Sequence, residues 1–194
     1  MKLRGLYAIT PEGDGVVEKV TQALAGGIAL LQYRRKKHQS VAEARELFAL
    51  TRRYGVPFIV NDDVELALAL DADGVHLGRD DGDFTTARTL LKGKLVGASC
   101  YDSLDAARAA LAAGADYIAF GSVFPSPTKP SAVRAPLSLF QHDFAKPVCA
   151  IGGITLQNAP QVIAAGADLV AVISDLFDAP DIARQAAAYR KLFA

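Results

Sequence analysis

One phrase recurs along this chain and limits the folds open to it. Ala72-Asp73-Gly74-Val75-His76-Leu77 is matched by Ala115-Asp116-Tyr117-Ile118-Ala119-Phe120 and by Ala167-Asp168-Leu169-Val170-Ala171-Val172, and more loosely by Gly27-Ile28-Ala29-Leu30-Leu31-Gln32. Each time a helical pattern stops at a small residue, or one that tolerates a left-handed backbone, and an apolar strand-type run begins. The spacing is one strand–helix unit or a multiple of it, about 24 residues if eight units share the chain. Strand-type runs fall at 3–9, 29–34, 58–61, 74–77, 95–99, 117–121, 148–151 and 169–173. Helical patterns lie between and after them, at 15–25, 40–54, 64–70, 84–91, 103–113, 137–140, 156–165 and 180–193, that at 137–140 being the weakest. Eight alternating units predict a small α/β chain of the (β/α)8 TIM-barrel type with short connections. The other doubly wound option calls for a glycine-rich turn after the first strand, and Ile9-Thr10-Pro11-Glu12-Gly13 does not fit it.

With 194 residues, 51% of them hydrophobic, the chain can bury one core and reads as one domain over 1–194. Twenty-one basic residues balance twenty-one acidic ones, which argues against a nucleic-acid or membrane-surface partner. The N-terminal run turns polar at Thr10, too soon for a signal peptide, and no apolar run approaches a membrane span. Cys100 and Cys149 sit far apart in apolar stretches and read as buried thiols in a reducing cytosol. A cytoplasmic protein with small-molecule partners is the expectation, with homo-oligomerisation open.

In a barrel, chemistry gathers at the carboxyl ends of the strands. After the second strand comes Gln32-Tyr33-Arg34-Arg35-Lys36-Lys37. If the chain stays extended, Gln32, Arg34 and Lys36 share a face, suiting a multiply charged anion. Asn61-Asp62-Asp63 follows the third strand and Gly78-Arg79-Asp80-Asp81 the fourth. Carboxylates on adjacent tips can share Mg²⁺, although Asp62 or Asp63 also suits the N-cap of the helix starting at Val64. Ser99 offers a hydroxyl after the fifth strand. Gly152-Gly153 and Ile173-Ser174 follow the seventh and eighth, the usual phosphate end of this architecture. After the sixth strand, Ser126-Pro127-Thr128-Lys129-Pro130 combines a proline-stiffened backbone with two hydroxyls and a cation; it suits a phosphate or, taken alone, a solvated turn. His76 reads as a histidine packed behind the site, and His38 and His142 as surface residues. No Ser/His/Asp arrangement and no zinc-type spacing occurs.

Gln32-x-Arg34-x-Lys36, Asn61-Asp62-Asp63, Ala72-Asp73-Gly74-Val75-His76-Leu77-Gly78 with Asp81, Ser126-Pro127-Thr128-Lys129 and Ala150-Ile151-Gly152-Gly153-Ile154 stand in this order at successive strand ends. Together they resemble the thiamine-phosphate synthase (thiamine-phosphate pyrophosphorylase) family over nearly the whole chain. The resemblance implies a transferase of thiamine biosynthesis. It would join 4-amino-2-methyl-5-hydroxymethylpyrimidine diphosphate to thiazole phosphate, with diphosphate leaving first. It also implies Mg²⁺ held by Asp62 and Asp81, and the pyrimidine diphosphate held by Gln32, Arg34, Lys36, Asn61 and Lys129. Ser99 would touch the pyrimidine substrate, and Ser126, Thr128, Gly153, Ile173 and Ser174 would take the thiazole phosphate. Arg34, Lys36, Lys129 and Ser99 would carry the catalysis. Two departures stand out: Ser126 replaces the family's usual threonine, and Tyr101 stands where many relatives carry histidine. The alternatives are a thiazole tautomerase-like paralogue, which shares the barrel but uses a histidine near that place, and a non-catalytic binder of phosphate ligands. Asp62, Asp81, Arg34 and Lys129 favour the synthase over both.

Overall fold

Eight parallel strands pair in sequence order and close on themselves. They are β1 (Gly5–Ile9), β2 (Leu30–Tyr33), β3 (Phe58–Asn61), β4 (Gly74–Leu77), β5 (Leu95–Tyr101), β6 (Tyr117–Phe120), β7 (Val148–Ile151) and β8 (Leu169–Val172). Closure comes from β1 against β8, with Gly5 opposite Leu169 and Ala8 opposite Val172. The computed structural model describes residues 3–37, 39–79, 82–125 and 133–194.

The two-residue period of the strands divides their side chains into two cores. Tyr7, Ile9, Leu30, Ile59, Tyr117, Ala119, Cys149, Leu169 and Ala171 fill the barrel interior. Their neighbours Leu6, Ala8, Leu31, Phe58, Val60, Val75 and Ile118 face outward, where they pack with helical residues such as Val20, Leu47, Val162 and Ala186. The helices are α1 (Val16–Gly26), α2 (Val41–Tyr54), α3 (Val64–Leu70), α4 (Phe84–Leu90), α5 (Leu104–Ala112), α6 (Ala159–Ala165), α7 (Ser174–Phe177) and α8 (Ile182–Lys191). Polar residues at the ends of the strand–helix loops cap several of them: Ser40 accepts from the Glu43 amide, Ser103 from Ala106 and Asp181 from Arg184.

The recurring phrase now has a mechanical explanation. Its aspartates precede β4, β6 and β8, and each carboxylate reaches back to an amide at the start of the preceding strand, the first residue of β3 and β7 and the second of β5. Asp73 accepts from Phe58 N–H at 2.8 Å, Asp116 from Val96 N–H at 2.9 Å and Asp168 from Val148 N–H at 3.1 Å. The backbone returns the bond, since the amides of the same three aspartates donate to the carbonyls of Phe58, Val96 and Val148. Arg52 and Arg88 add ion pairs to Asp73 and Asp116. The repeat is thus a staple at the amino end of the barrel.

The expected elements are present, with three differences. The pattern at 137–140 forms a 3₁₀ turn, Leu137–Gln141, which buries Leu139 and Phe140 before the chain reverses. α7 is a single turn immediately after β8 that the sequence pattern does not announce; it buries Leu176 and Phe177. β5 runs two residues past Ser99, with a register shift between Ser99 and Tyr101. Cys100 and Cys149 are both buried free thiols. No helix among the described residues is long and apolar enough to cross a membrane.

Candidate active site at the strand carboxyl ends

The tips of β2 and β3 flank a cleft of about 600 Å³ whose walls include Arg34, Lys36, Asn61 and Asp62. β2 ends at Tyr33, so the extended run expected through Lys36 breaks off. Gln32, within β2 and on the inward face it shares with Leu30, is buried inside the barrel, only 3% exposed, while Arg34 is partly covered and Lys36 lies open on the following bend. Thr10, 2% exposed at the end of β1, fixes the turn: its hydroxyl accepts from the Arg34 amide at 2.8 Å and donates to the Arg34 carbonyl at 3.0 Å.

Local contacts separate the two neighbouring arginines. The Arg35 guanidinium folds back onto the carbonyls of Pro11 and Gly13, both at 2.9 Å, and pairs with Glu43. Among the described residues, neither the Arg34 nor the Lys36 side chain forms an ion pair. Glu12 takes the Lys36 backbone amide at 2.7 Å, and that bond, aided by the charges of Arg35 and Arg34, holds its carboxyl below the ordinary range. The cationic bend is thus tied down through its backbone and the Arg35 side chain, and not through ion pairs of Arg34 or Lys36 among the described residues.

The same division resolves Asp62 and Asp63. Asp63 is the N-cap of α3, accepting from Leu66 N–H at 2.8 Å and from the Gln39 amide at 2.9 Å. Asp62 adopts a left-handed backbone, φ +63°, and its amide donates to the His76 carbonyl on β4. It lines the cleft, with the Asn61 amide donating to its Oδ2. Left-handed backbone in a non-glycine residue is uncommon and costs free energy, which the surrounding structure must supply.

Gly153 and Ile173 stand at the neighbouring tips of β7 and β8. Gly153 has φ +65°, and a Cβ on it would strike the carbonyl oxygens of Phe124 and Pro125. Its glycine is therefore required by the loop after β6, which lies directly on it. Ile173 caps α7, which begins at Ser174. Asp175 braces this corner, accepting from Leu156 N–H at 3.1 Å, from Gln185 at 2.7 Å and from the Tyr189 hydroxyl at 2.6 Å.

Ser99, on β5, is bonded to His76 Nε2 at 2.9 Å, and His76 Nδ1 lies 3.1 Å from the Tyr117 hydroxyl. Tyr117 and Tyr7 meet hydroxyl to hydroxyl at 2.8 Å, and Gln32 Nε2 donates to Tyr7 at 2.7 Å. Burial pushes the pKa of both phenols up, so each stays neutral. Sequence reasoning assigned no role to Thr10, Tyr7 or Tyr117. The available signal was position: Thr10 is the first residue past β1, and the tyrosines share the inward parity of Gln32 and Ser99.

Asp81, Ser126, Thr128 and Lys129 lie outside the described residues. Among the described residues, no group of three or more His, Cys, Asp or Glu side chains converges as a metal cage.

Residues 6–176 match the family model described as thiamine monophosphate synthase. The thiamine-phosphate synthase of Aromatoleum aromaticum is 58% identical over 99% of this chain and 97% of its own length. That of Thiobacillus denitrificans is 56% identical over 98% and 95%. Among solved structures, the thiamine phosphate pyrophosphorylase from Pyrococcus furiosus superposes with a TM-score of 0.87 at 36% identity, covering 98% of this chain and 96% of that one. A family model spanning nearly the whole barrel, and relatives more than half identical across it, establish that this chain belongs to the thiamine-phosphate synthase family.

Proposed function

We propose that the chain condenses 4-amino-2-methyl-5-hydroxymethylpyrimidine diphosphate with thiazole phosphate, or its carboxylated tautomer, to give thiamine phosphate and diphosphate. The observation that carries this reading is the cleft at the adjacent tips of β2 and β3 whose walls include Arg34, Lys36, Asn61 and Asp62, in a chain of this family. Two cations on a bend tethered through its backbone, beside an amide and a carboxylate, suit a diphosphate better than a singly charged group.

In the reaction, the methylene C–O bond breaks and its electron pair leaves with the diphosphate. The thiazole nitrogen then gives its lone pair to the pyrimidine methylene carbon. Such a reaction needs charge neutralised on the departing group more than it needs a general base. Arg34, Lys36 and Lys129 supply that charge, Gln32 and Asn61 orient the diphosphate, and Ser99 contacts the pyrimidine. Ser126, Thr128, Gly153, Ile173 and Ser174 receive the phosphate of the thiazole.

Mg²⁺ fits this donor set. Asp62 is a hard oxygen ligand oriented by Asn61 and standing beside the cationic bend. With Asp81, which lies outside the described residues, it would give the two carboxylates that Mg²⁺ takes alongside substrate oxygens. When bound, the ion would neutralise charge on the leaving diphosphate.

The test is direct: supply both substrates, with Mg²⁺ and without it, and follow thiamine phosphate. Metal-dependent product is expected. Its absence with every divalent metal would overturn the reading, and proton exchange on the thiazole carboxylate in place of condensation would indicate a tautomerase.

A further inference from the structure

A line of five polar side chains crosses the upper barrel interior from β2 to β5. It runs Gln32, Tyr7, Tyr117, His76, Ser99, through contacts of 2.7, 2.8, 3.1 and 2.9 Å. Both ends are residues assigned above to the pyrimidine substrate; the three in the middle have no assigned role. Tyr7 and Tyr117 are 1% and 0% exposed, so their hydroxyls must find partners inside the protein. Room for them is built into the strands: Tyr117 stacks on the His76 ring and meets Tyr7 edge-on, and a Cβ on Gly97 would collide with the Tyr117 ring.

We propose that Tyr7, Tyr117 and His76 are positioning residues, a one-way chain of hydrogen bonds that locks the Gln32 amide and makes the Ser99 hydroxyl a donor toward the substrate. The direction follows from the first bond. Gln32 Nε2 can only donate, so the Tyr7 oxygen accepts from it. Among the described residues, the Tyr7 proton then has one acceptor within hydrogen-bond distance, the Tyr117 oxygen. The Tyr117 O–H then donates to His76 Nδ1, so the neutral imidazole carries its proton on Nε2 and donates it in a hydrogen bond to Ser99 Oγ. Ser99 accepts that bond, and its own O–H is left to donate to an acceptor in the site. The opposite direction satisfies every group only if Gln32 is turned to present its carbonyl to Tyr7. His76 would then carry its proton on Nδ1, and Ser99 would face the substrate as an acceptor. The chain thus ties two contacts on one substrate to a single internal polarity.

This inference rests on the synthase reading for its kinetics but not for its spectroscopy. In the full chain without substrates, long-range ¹H–¹⁵N correlation of the His76 ring reads the tautomer. The expected result is a neutral ring protonated at Nε2; a proton on Nδ1 would overturn the proposal whatever the enzyme makes. Tyr7→Phe and Tyr117→Phe keep the rings and remove only the hydroxyls. In the condensation assay each should lower kcat/KM about 10- to 100-fold, with the change carried by the pyrimidine substrate and the KM for the thiazole unchanged. Tyr117→Phe should also release His76 from a single tautomer. Wild-type kinetics in both variants, or equal losses toward both substrates, would reduce the line to packing.

Discussion

The two ends of this barrel carry the same kinds of residue, and the carboxyl end does not consume all of its charges as the amino end does. At the amino end, Asp73, Asp116 and Asp168 are spent on backbone amides, and Arg52 and Arg88 are spent on two of those aspartates. At the carboxyl end, among the described residues, Arg34 and Lys36 are held through their backbones and form no ion pair, and Asp62 lines a cleft in a left-handed conformation. Residue type alone does not distinguish a staple from a site. What distinguishes them is whether the local backbone consumes the charge.

The largest test of this contrast is Asp62→Asn. Asparagine tolerates the left-handed backbone, so the fold should survive, while Mg²⁺-dependent turnover should fall about 10²- to 10³-fold. An unchanged rate and an unchanged Mg²⁺ requirement would remove Asp62 from the site. Arg34→Ala should lower kcat/KM about 10- to 100-fold through the pyrimidine diphosphate, with a melting temperature close to that of the parent chain. A large loss of stability would show that this cation is consumed structurally, as Arg35 is.

Asp116→Ala probes the other end. It removes the acceptor of the Val96 amide and the partner of Arg88, and should destabilise the fold by about 1–3 kcal/mol, lowering the melting temperature by about 3–10 °C. Turnover of the folded fraction at 25 °C should be unaffected. Glu12→Gln should have the smallest effect, a rise of about 2- to 5-fold in the KM for the pyrimidine diphosphate. The sign of its pH dependence follows from the lowered carboxyl pKa. The tie to the Lys36 amide is intact above the ordinary value of 4.5 and is lost as pH falls through the lower folded value. The parent enzyme should lose affinity across that acid window, and Glu12→Gln should not.

Much of this was legible in the sequence because barrel strands announce themselves locally. β3, β4 and β7 have the bounds that their apolar runs predict. Gln32, Arg34, Asn61 and Asp62 follow from the rule that strand tips carry chemistry; the structure sets Arg34, Asn61 and Asp62 around one cleft and buries Gln32 in the barrel interior. Finer choices depended on backbone geometry that residue types do not encode. Asp62 and Asp63 both suit a ligand and a cap, and only the Asp63 bond to Leu66 N–H separates them. Arg34 and Arg35 diverge because the strand stops at Tyr33, where Thr10 takes hold of the turn. The Tyr7–Tyr117 contact joins residues 110 positions apart, through closure of the barrel, and no local pattern signals it. The recurring aspartates were visible as a repeat, yet their bonds to the preceding strand needed the register.

The contrast between the two ends is tested most directly by titrating the ¹⁵N-labelled chain with inorganic diphosphate in the presence of Mg²⁺ and following every backbone amide. The account predicts shifts concentrated at residues 32–36 and 61–62, with the amides of Asp73, Asp116 and Asp168 unmoved. Shifts centred on those three aspartates, or no shifts at the tips of β2 and β3 at saturating diphosphate, would contradict it.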